Sequence, residues 1–558
     1  MSTNRLIYLP LGGAGEIGMN AYVYGYGPAG RERLILVDLG VTFPDMDTTP
    51  GVDLIMPDIS WLIERRDQLE AIFITHGHED HLGALAHHWP QLRAKVYARR
   101  FTAALGKLKL EEAGLPQDTI TVVNARPQTI EAGPFRVQFV PVAHSIPESS
   151  ALVIDTPAGR ILHTADFKLD ETPVVGEGWN PDLYDEIARE APIKALVCDS
   201  TNVFSLHQGR SESTLAQPLT DLIKSGRGMV VATTFASNVA RLKTLAEAGV
   251  AAGRSICLLG RAMQRMVRAA QETGVLTSFP ALIPPDEASS IPRHKLMLIV
   301  TGSQGERRAA TAQLSRGKFL GLEMKSGDMF LFSSKTIPGN ERPVIAIMNS
   351  FSEMGVDVVD DQGGKYHVSG HANRPDLEAV HALMNPAVLI PMHGEHRHLR
   401  EHARLGEERG IHSAIVTNGM MADLTGPILK IVERVETGRI YLDGSVLIGA
   451  MDGVVRDRIR LALNGHVTVT TIIDEAGQPM GDAWVELYGL SDTGKRAPSV
   501  MDAIEEDLNE FLETAGRKVL ADDEKTEEAI RRVVRQVAME EIGKKPEVTV
   551  VVSRLMEG

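Results

Sequence analysis

Thr75-His-Gly-His-Glu-Asp-His81 places four groups able to hold a metal ion, His76, His78, Asp80 and His81, within six residues. In an extended segment, residues two apart point to the same side, so His76 and His78 can share one ion. Asp80 and His81 sit at the turn into a helix expected near Leu82 and can face a second ion. Imidazole with carboxylate suits zinc, and manganese also. A surface histidine cluster is the plain alternative, but an H-x-H-x-D-H run directly after a buried strand argues against it.

Two ions need more ligands. His144, Asp166 and His393 each lie just past a predicted strand, where function concentrates on an open sheet. Asp166 is anionic and could bridge two ions. Asp38, also at a strand end, is expected to orient a histidine ligand. His87 and His88 fall on the following helix and are expected at the surface.

Gly13-Ala-Gly-Glu-Ile-Gly18 spells the dinucleotide motif G-x-G-x-x-G, with Asp38 twenty residues beyond Gly18. That site needs a helix after the glycines. Met19–Tyr24 is instead strand-like, followed by a turn expected at Gly25–Pro28 and by another strand. The glycines therefore predict a tight loop beside a hairpin.

These residues need a scaffold of strands. Arg33–Asp38, Ala71–Thr75, Phe135–Val140, the Ala151–Asp155/Arg160–His163 hairpin and Ala195–Asp199 are the predicted strands of the first two hundred residues. Beyond Asp199 strands and helices alternate: Gly228–Thr233 before a helix at Ser237–Ala248, and Lys295–Val300 before a helix at Gly305–Leu314. That pattern predicts a parallel sheet with crossover helices. A further series includes the strand Ala387–Ile390. Near the end, Arg458–Ala462, Val467–Ile473 and Val548–Ser553 are predicted strands, and Asp502–Ala515 and Lys525–Ile542 predicted helices.

Composition limits the function classes. The 558 residues are 43% hydrophobic and 23% charged, which excludes wholesale disorder. No apolar run approaches the ~20 residues of a membrane span, and the start has no signal-peptide pattern, so a cytoplasmic protein without membrane contact is expected. Two cysteines, Cys198 and Cys257, exclude a disulfide framework and a cysteine-based zinc site. The net charge of −15 hides an uneven distribution: Phe204–Met354 holds 18 Lys and Arg against 11 Asp and Glu, whereas Met501–Gly558 holds 9 against 15. A basic middle in an acidic chain predicts a surface for an anion.

Three loops are set to receive phosphate. Ser237 and Asn238 open a predicted helix after a strand, where free N–H groups favour an anion. Thr301–Glu306 has the same setting. Ser369-Gly-His-Ala372 precedes a helix starting near Pro375.

With these residues in place, the chain resembles the β-CASP nucleases of the metallo-β-lactamase fold, and among them the ribonuclease J family. The resemblance rests on Gly12–Asn20, the H-x-H-x-D-H run, His144, Asp166, Asp199 in Cys-Asp-Ser-Thr-Asn202, Ser369–Ala372 and His393, and covers most of the chain. One departure is Ala165, where glycine is expected before Asp166. The resemblance implies an αββα sandwich at 1–203 and 355–448, interrupted by a parallel α/β β-CASP domain at 204–354. A linker and small C-terminal α/β domain at 449–558 would support a homo-oligomer, dimer or tetramer.

The resemblance also implies two Zn2+ per subunit, with Mn2+ or Mg2+ as alternatives. One would sit on His76, His78 and His144, the other on Asp80, His81 and His393, with Asp166 between and Asp199 supporting. Ser237, Asn238, Ser369, Gly370, His371 and Ala372 would surround a 5′-phosphate. The implied activity is 5′→3′ exonucleolytic cleavage of single-stranded RNA, with endonuclease activity alongside, in RNA processing and decay. In the expected mechanism Asp80 orients or deprotonates a water and His371 serves the departing 3′-oxygen. Competing readings are a small-molecule hydrolase, a DNA nuclease and a non-catalytic RNA-binding subunit. The basic insert and Ser369–Ala372 disfavour the first, and the complete ligand set disfavours the last.

Overall fold

The computed structural model describes residues 4–361, 363–495 and 499–555. The chain divides into two compact units, Met1–Thr42 with Met56–Arg439, and Phe43–Ile55 with Ile440–Gly558.

The first unit contains two facing sheets. Asn4–Gly12, Ala21–Pro28, Arg33–Val37, Leu69–Ile74 and Lys95–Arg99 run side by side in the first, an eight-stranded sheet. Phe135–Pro141, Ser150–Thr156, Gly159–His163, Ile193–Asp199 and Val388–Met392 run side by side in the second, a seven-stranded sheet. Tyr8, Tyr22, Tyr24 and Phe73 from the first sheet pack with Phe135, Phe139 and Ile390 from the second. Each of the phenylalanine and isoleucine side chains contributes about 1.5–3 kcal/mol on burial, so this layer holds the sandwich closed. On the outer face of the second sheet, Leu162, Leu196 and Leu389 pack against helices Pro181–Glu190, Arg374–Met384 and His396–Glu408.

The basic segment supplies four strands of a five-stranded sheet in the order Ser255–Leu259, Leu296–Val300, Val230–Thr233, Met329–Phe332 and Asp357–Val359, every pairing parallel, the last strand lying just beyond Met354. Leu296–Val300 is buried on both faces, as crossover helices require. In the second unit, strands Trp484–Tyr488, His466–Asp474 and Glu547–Leu555 pack on helices Val500–Thr514 and Asp523–Ile542.

Several local expectations are corrected. The strand Ala21–Pro28 runs through Gly25, and its turn comes after Pro28. Gly25 serves packing instead: a Cβ there would lie 2.7 Å from Ile7 Cγ1. Arg458–Ala462 is not a strand but part of the helix Val454–Asn464. Its Arg-Ile-Arg-Leu alternation mimics a strand over five residues, whereas Val455 and Ile459, four apart, share a helical face. The helix expected at Gly305–Leu314 is only Ala310–Ser315: Gly305 takes a left-handed φ of 79° and Ala309 is extended just before the first turn. The helix after His78 begins earlier than expected, at Glu79–Leu82, so Asp80 and His81 lie within it. His88 is buried and hydrogen-bonds the Pro57 carbonyl; it is not a surface residue.

Candidate metal centre

The residues singled out above arrive at one place because strands of both sheets end there. Thr75 follows the strand Leu69–Ile74, and its N–H and hydroxyl donate to Asp38, pinning the start of the histidine run. Leu39 N donates to His81 O and Val41 N to Glu79 O, so the 38–41 segment is laced to the turn carrying Asp80 and His81. His144 follows Phe135–Pro141, Asp166 follows Gly159–His163, and His393 follows Val388–Met392. Asp38, Ala165 and His393 all have positive φ, at 62°, 52° and 49°. Non-glycine residues rarely adopt this conformation, and it concentrates at sites that surrounding structure holds in place. Ala165 fills the position where glycine was expected and accepts the left-handed turn that glycine would favour.

Ligand atoms of His76, His78, His144 and Asp166 all lie within 4.8 Å of one another. The same holds for Asp80, His81, Asp166 and His393. Asp166 belongs to both groups; its Oδ2 is 3.8 Å from His76 Nε2, 3.7 Å from His144 Nε2 and 3.3 Å from His81 Nε2. Asp80 Oδ2 is 3.2 Å from His393 Nε2. The Asp38 carboxylate accepts from His81 Nδ1 at 2.7 Å, which turns Nε2 towards Asp166. The Gly370 carbonyl does the same for His144, at 2.6 Å from Nδ1.

The electrostatics fit divalent cations. Asp38, Asp80, Asp166 and Asp199 crowd together, and the basic side chains paired with them are histidines throughout. His76 Nε2 is buried without a hydrogen-bond partner, whereas Asp166 Oδ1 faces His393 Nδ1 at 3.1 Å. Buried polar atoms are almost always satisfied, so His76 Nε2 is matched to something further. Burial pushes His76 and His144 well below the ordinary histidine pKa and His78 down to about 4, leaving lone pairs free to ligate. Burial opposes the charge on His81 and His393, but Asp166 and the other carboxylates win and raise both, His393 to about 10. Asp80 and Asp166 resist burial through His81 and His393 and stay below the carboxylate range.

Beside the centre, His371 Nδ1 donates to Asp199 Oδ2, and Thr201 spans Asp199 and His393. Asn202 Nδ2 donates to Ser369 Oγ at 2.7 Å and to Asn373 Oδ1. Ser369–Ala372 thus lies against the centre. The Ala372 N–H is already committed to the Phe167 carbonyl, so this residue shapes the loop without offering a donor. Asn238 caps the helix Val239–Ala251 through Arg241 N, and Ser237 precedes it. That helix start is tied to the segment before Ser369 by Arg241, which reaches the Tyr366 carbonyl and His367 Nδ1.

Sequence reasoning placed Asn20 and Thr201 in motifs but gave neither a role; Asn20 donates to Asp80, and Thr201 to Asp199. It missed the buried chain from Ser200 through His402 to His381. Cys198 adjoins those two histidines, but their near-coplanar rings meet Nε2 to Nε2 at 2.9 Å and hydrogen-bond each other.

A two-sheet sandwich with a shared-carboxylate histidine cage at its strand ends defines a metallohydrolase of the metallo-β-lactamase class. Residues 15–194 match the metallo-beta-lactamase superfamily and 364–416 the Zn-dependent metallo-hydrolase RNA specificity domain. Residues 227–351 match the ribonuclease J beta-CASP domain and 453–555 the ribonuclease J C-terminal domain. The chain is 40% identical to ribonuclease J of Sinorhizobium meliloti over 553 residues, covering 99% of this chain and 98% of that protein. It is 34% identical to ribonuclease J of Mycolicibacterium smegmatis, covering 94% and 93%. The chain belongs to the ribonuclease J family. A crystal structure of a protein of unknown function from Enterococcus faecalis shares the fold, with a TM-score of 0.51 at 17% identity over 75% of this chain and all of that one.

Proposed function

We propose that the chain is a metal-dependent ribonuclease that degrades single-stranded RNA 5′→3′ from monophosphorylated ends, with endonuclease activity alongside, in RNA processing and decay. The observation that carries this reading is Asp166 shared between two groups of ligand atoms, with His371 and Ser369 beside them. We assign one cation to His76, His78 and His144, the other to Asp80, His81 and His393, with Asp166 between. Zinc suits the imidazole-rich set, with manganese or magnesium as activating alternatives. When bound, the pair supplies Lewis acidity, making a water a better nucleophile and offsetting charge on the phosphoryl group.

The side chains do the rest. Asp80, held ionised, orients the water or accepts its proton. His371, its pKa raised by Asp199 against the effect of burial, carries a proton for the departing 3′-oxygen. Ser369, Gly370 and Ala372 shape a pocket for the terminal 5′-phosphate, with Ser237 and Asn238 at the helix start. The division at 1–203, 204–354, 355–448 and 449–558, assembly into a dimer or tetramer through the C-terminal region, and a cytoplasmic location belong to the same proposal. No described helix is long and apolar enough to cross a membrane.

The test is cleavage of 5′-monophosphate, 5′-triphosphate and 5′-hydroxyl RNAs by native protein and by Asp80→Ala and His78→Ala. Native protein is expected to prefer the monophosphate, and both variants to stay folded without cleaving. Full activity in either variant ends the mechanism.

A further inference from the structure

Gly12–Asn20 takes no part in the chemistry above, yet it touches the centre at both ends. At one end, His393 N donates to the Gly13 carbonyl at 2.8 Å, and Ala14–Gly15 pairs in parallel with Gly394–Glu395. Asn418 secures this end, accepting from Ala14 N and donating to Glu16. At the other end stands Asn20, fully buried. Its N–H donates to the Asp80 carbonyl at 3.0 Å and its carbonyl accepts from Gly40 N at 3.0 Å. Its side-chain amide donates to the Asp80 carbonyl at 2.9 Å and reaches Asp80 Oδ2 at 3.4 Å and His81 Nε2 at 3.0 Å. The Asp80 carbonyl can only accept, so the NH2 must face it, and the Tyr22 hydroxyl lies 2.7 Å from Asn20 Oδ1 and 3.2 Å from the Gly13 carbonyl.

Two glycines make this approach possible. A Cβ on Gly13, whose φ is +83°, would lie 2.2 Å from Asn20 Oδ1; one on Gly40 would lie 1.6 Å from the Asp80 carbonyl oxygen. Within the motif, Gly12 likewise clears the Met19 carbonyl, 1.9 Å from where its Cβ would lie, so the glycines make room for the Met19 backbone and the Asn20 side chain, not for a dinucleotide.

We propose that Gly12–Asn20 is a bracket that sets the spacing of Asp80 and His393, with Asn20 the positioning residue for Asp80. One continuous segment grips both residues, so neither can drift without the other. This rests on Asp80 and His393 holding one cation. Groups that orient a ligand tune the affinity of its ion, so loosening the bracket weakens one cation and spares the other.

The experiment measures zinc content of the full chain by mass spectrometry after dialysis against graded chelator, for Asn20→Ala, Tyr22→Phe and Asp80→Ala, with RNA cleavage in parallel. Asn20→Ala is expected to release one zinc at roughly 10–100-fold lower chelator than the native protein, keep the other, and lose kcat with KM unchanged. Tyr22→Phe, which removes one hydroxyl, shifts the same zinc by less, and decides the matter if Asn20→Ala does not fold. Native zinc retention in both, with loss in Asp80→Ala, overturns the bracket alone. Native retention in Asp80→Ala overturns the cation assignment beneath it.

Discussion

His371 Nδ1 lies 2.7 Å from Asp199 Oδ2, and the same carboxylate reaches His393 Nδ1 through Oδ1 at 3.5 Å. One buried acid thus faces the proposed proton donor and a proposed cation ligand together. Asp199→Asn keeps the shape and removes the charge, so His371 loses its proton at lower pH. Turnover near neutral pH is expected to fall by about 100-fold, with the pH optimum displaced to acid. Steady-state rates across pH check this; a native profile in Asp199→Asn would remove His371 from the reaction.

Ala165 precedes Asp166 in a left-handed conformation, fully buried. A β-branched side chain there is both conformationally unfavourable and overpacked. Ala165→Val is expected to cost about 2–4 kcal/mol, while Ala165→Gly stays within about 1 kcal/mol of the native protein, relief of the backbone offsetting a lost methyl. Denaturant unfolding of the two variants reads the difference. Equal stability would show that the turn tolerates any side chain.

Arg241 is fully buried, its Nε and Nη2 paired with buried Glu212, while its Nη1 reaches Ser333 and the segment before Ser369. Removing one partner leaves an uncompensated buried charge, whereas removing both does not. Arg241→Met should destabilise by about 3–5 kcal/mol. The double variant Arg241→Met, Glu212→Leu should recover much of that loss. A double variant no better than the single would place the cost in the carbonyl contacts instead.

His88 is buried and neutral, its pKa pushed by burial, and then by His87, from the ordinary 6.5 to about 4. Unfolded, it takes up a proton below about 6.5; folded, it does not until about 4. Stability therefore falls as pH drops through that window, by up to about 1.4 kcal/mol per pH unit. His88→Gln should flatten the fall by one proton in urea unfolding across that range, and an unchanged slope would show that His88 titrates normally.

The local parts of this protein were legible in its sequence. H-x-H-x-D-H, the strand-end positions of His144, Asp166 and His393, and the alternating strands and helices of the basic insert all follow from side-chain periodicity. Covalent geometry sets that periodicity over a few residues. Local pattern failed where five residues were too few, as at Arg458–Ala462, or where a glycine served packing, as at Gly25. Asp166 between two ligand groups was an expectation that the ligand atoms match; only the tertiary structure decided that Asn20 grips Asp80 sixty positions away and that Asp199 faces His371. Those relationships come from how two sheets pack and where their strands end, which no short stretch of chain encodes. Hydrogen bonds between distant loops form only after burial has brought them together, so their partners are a property of the fold.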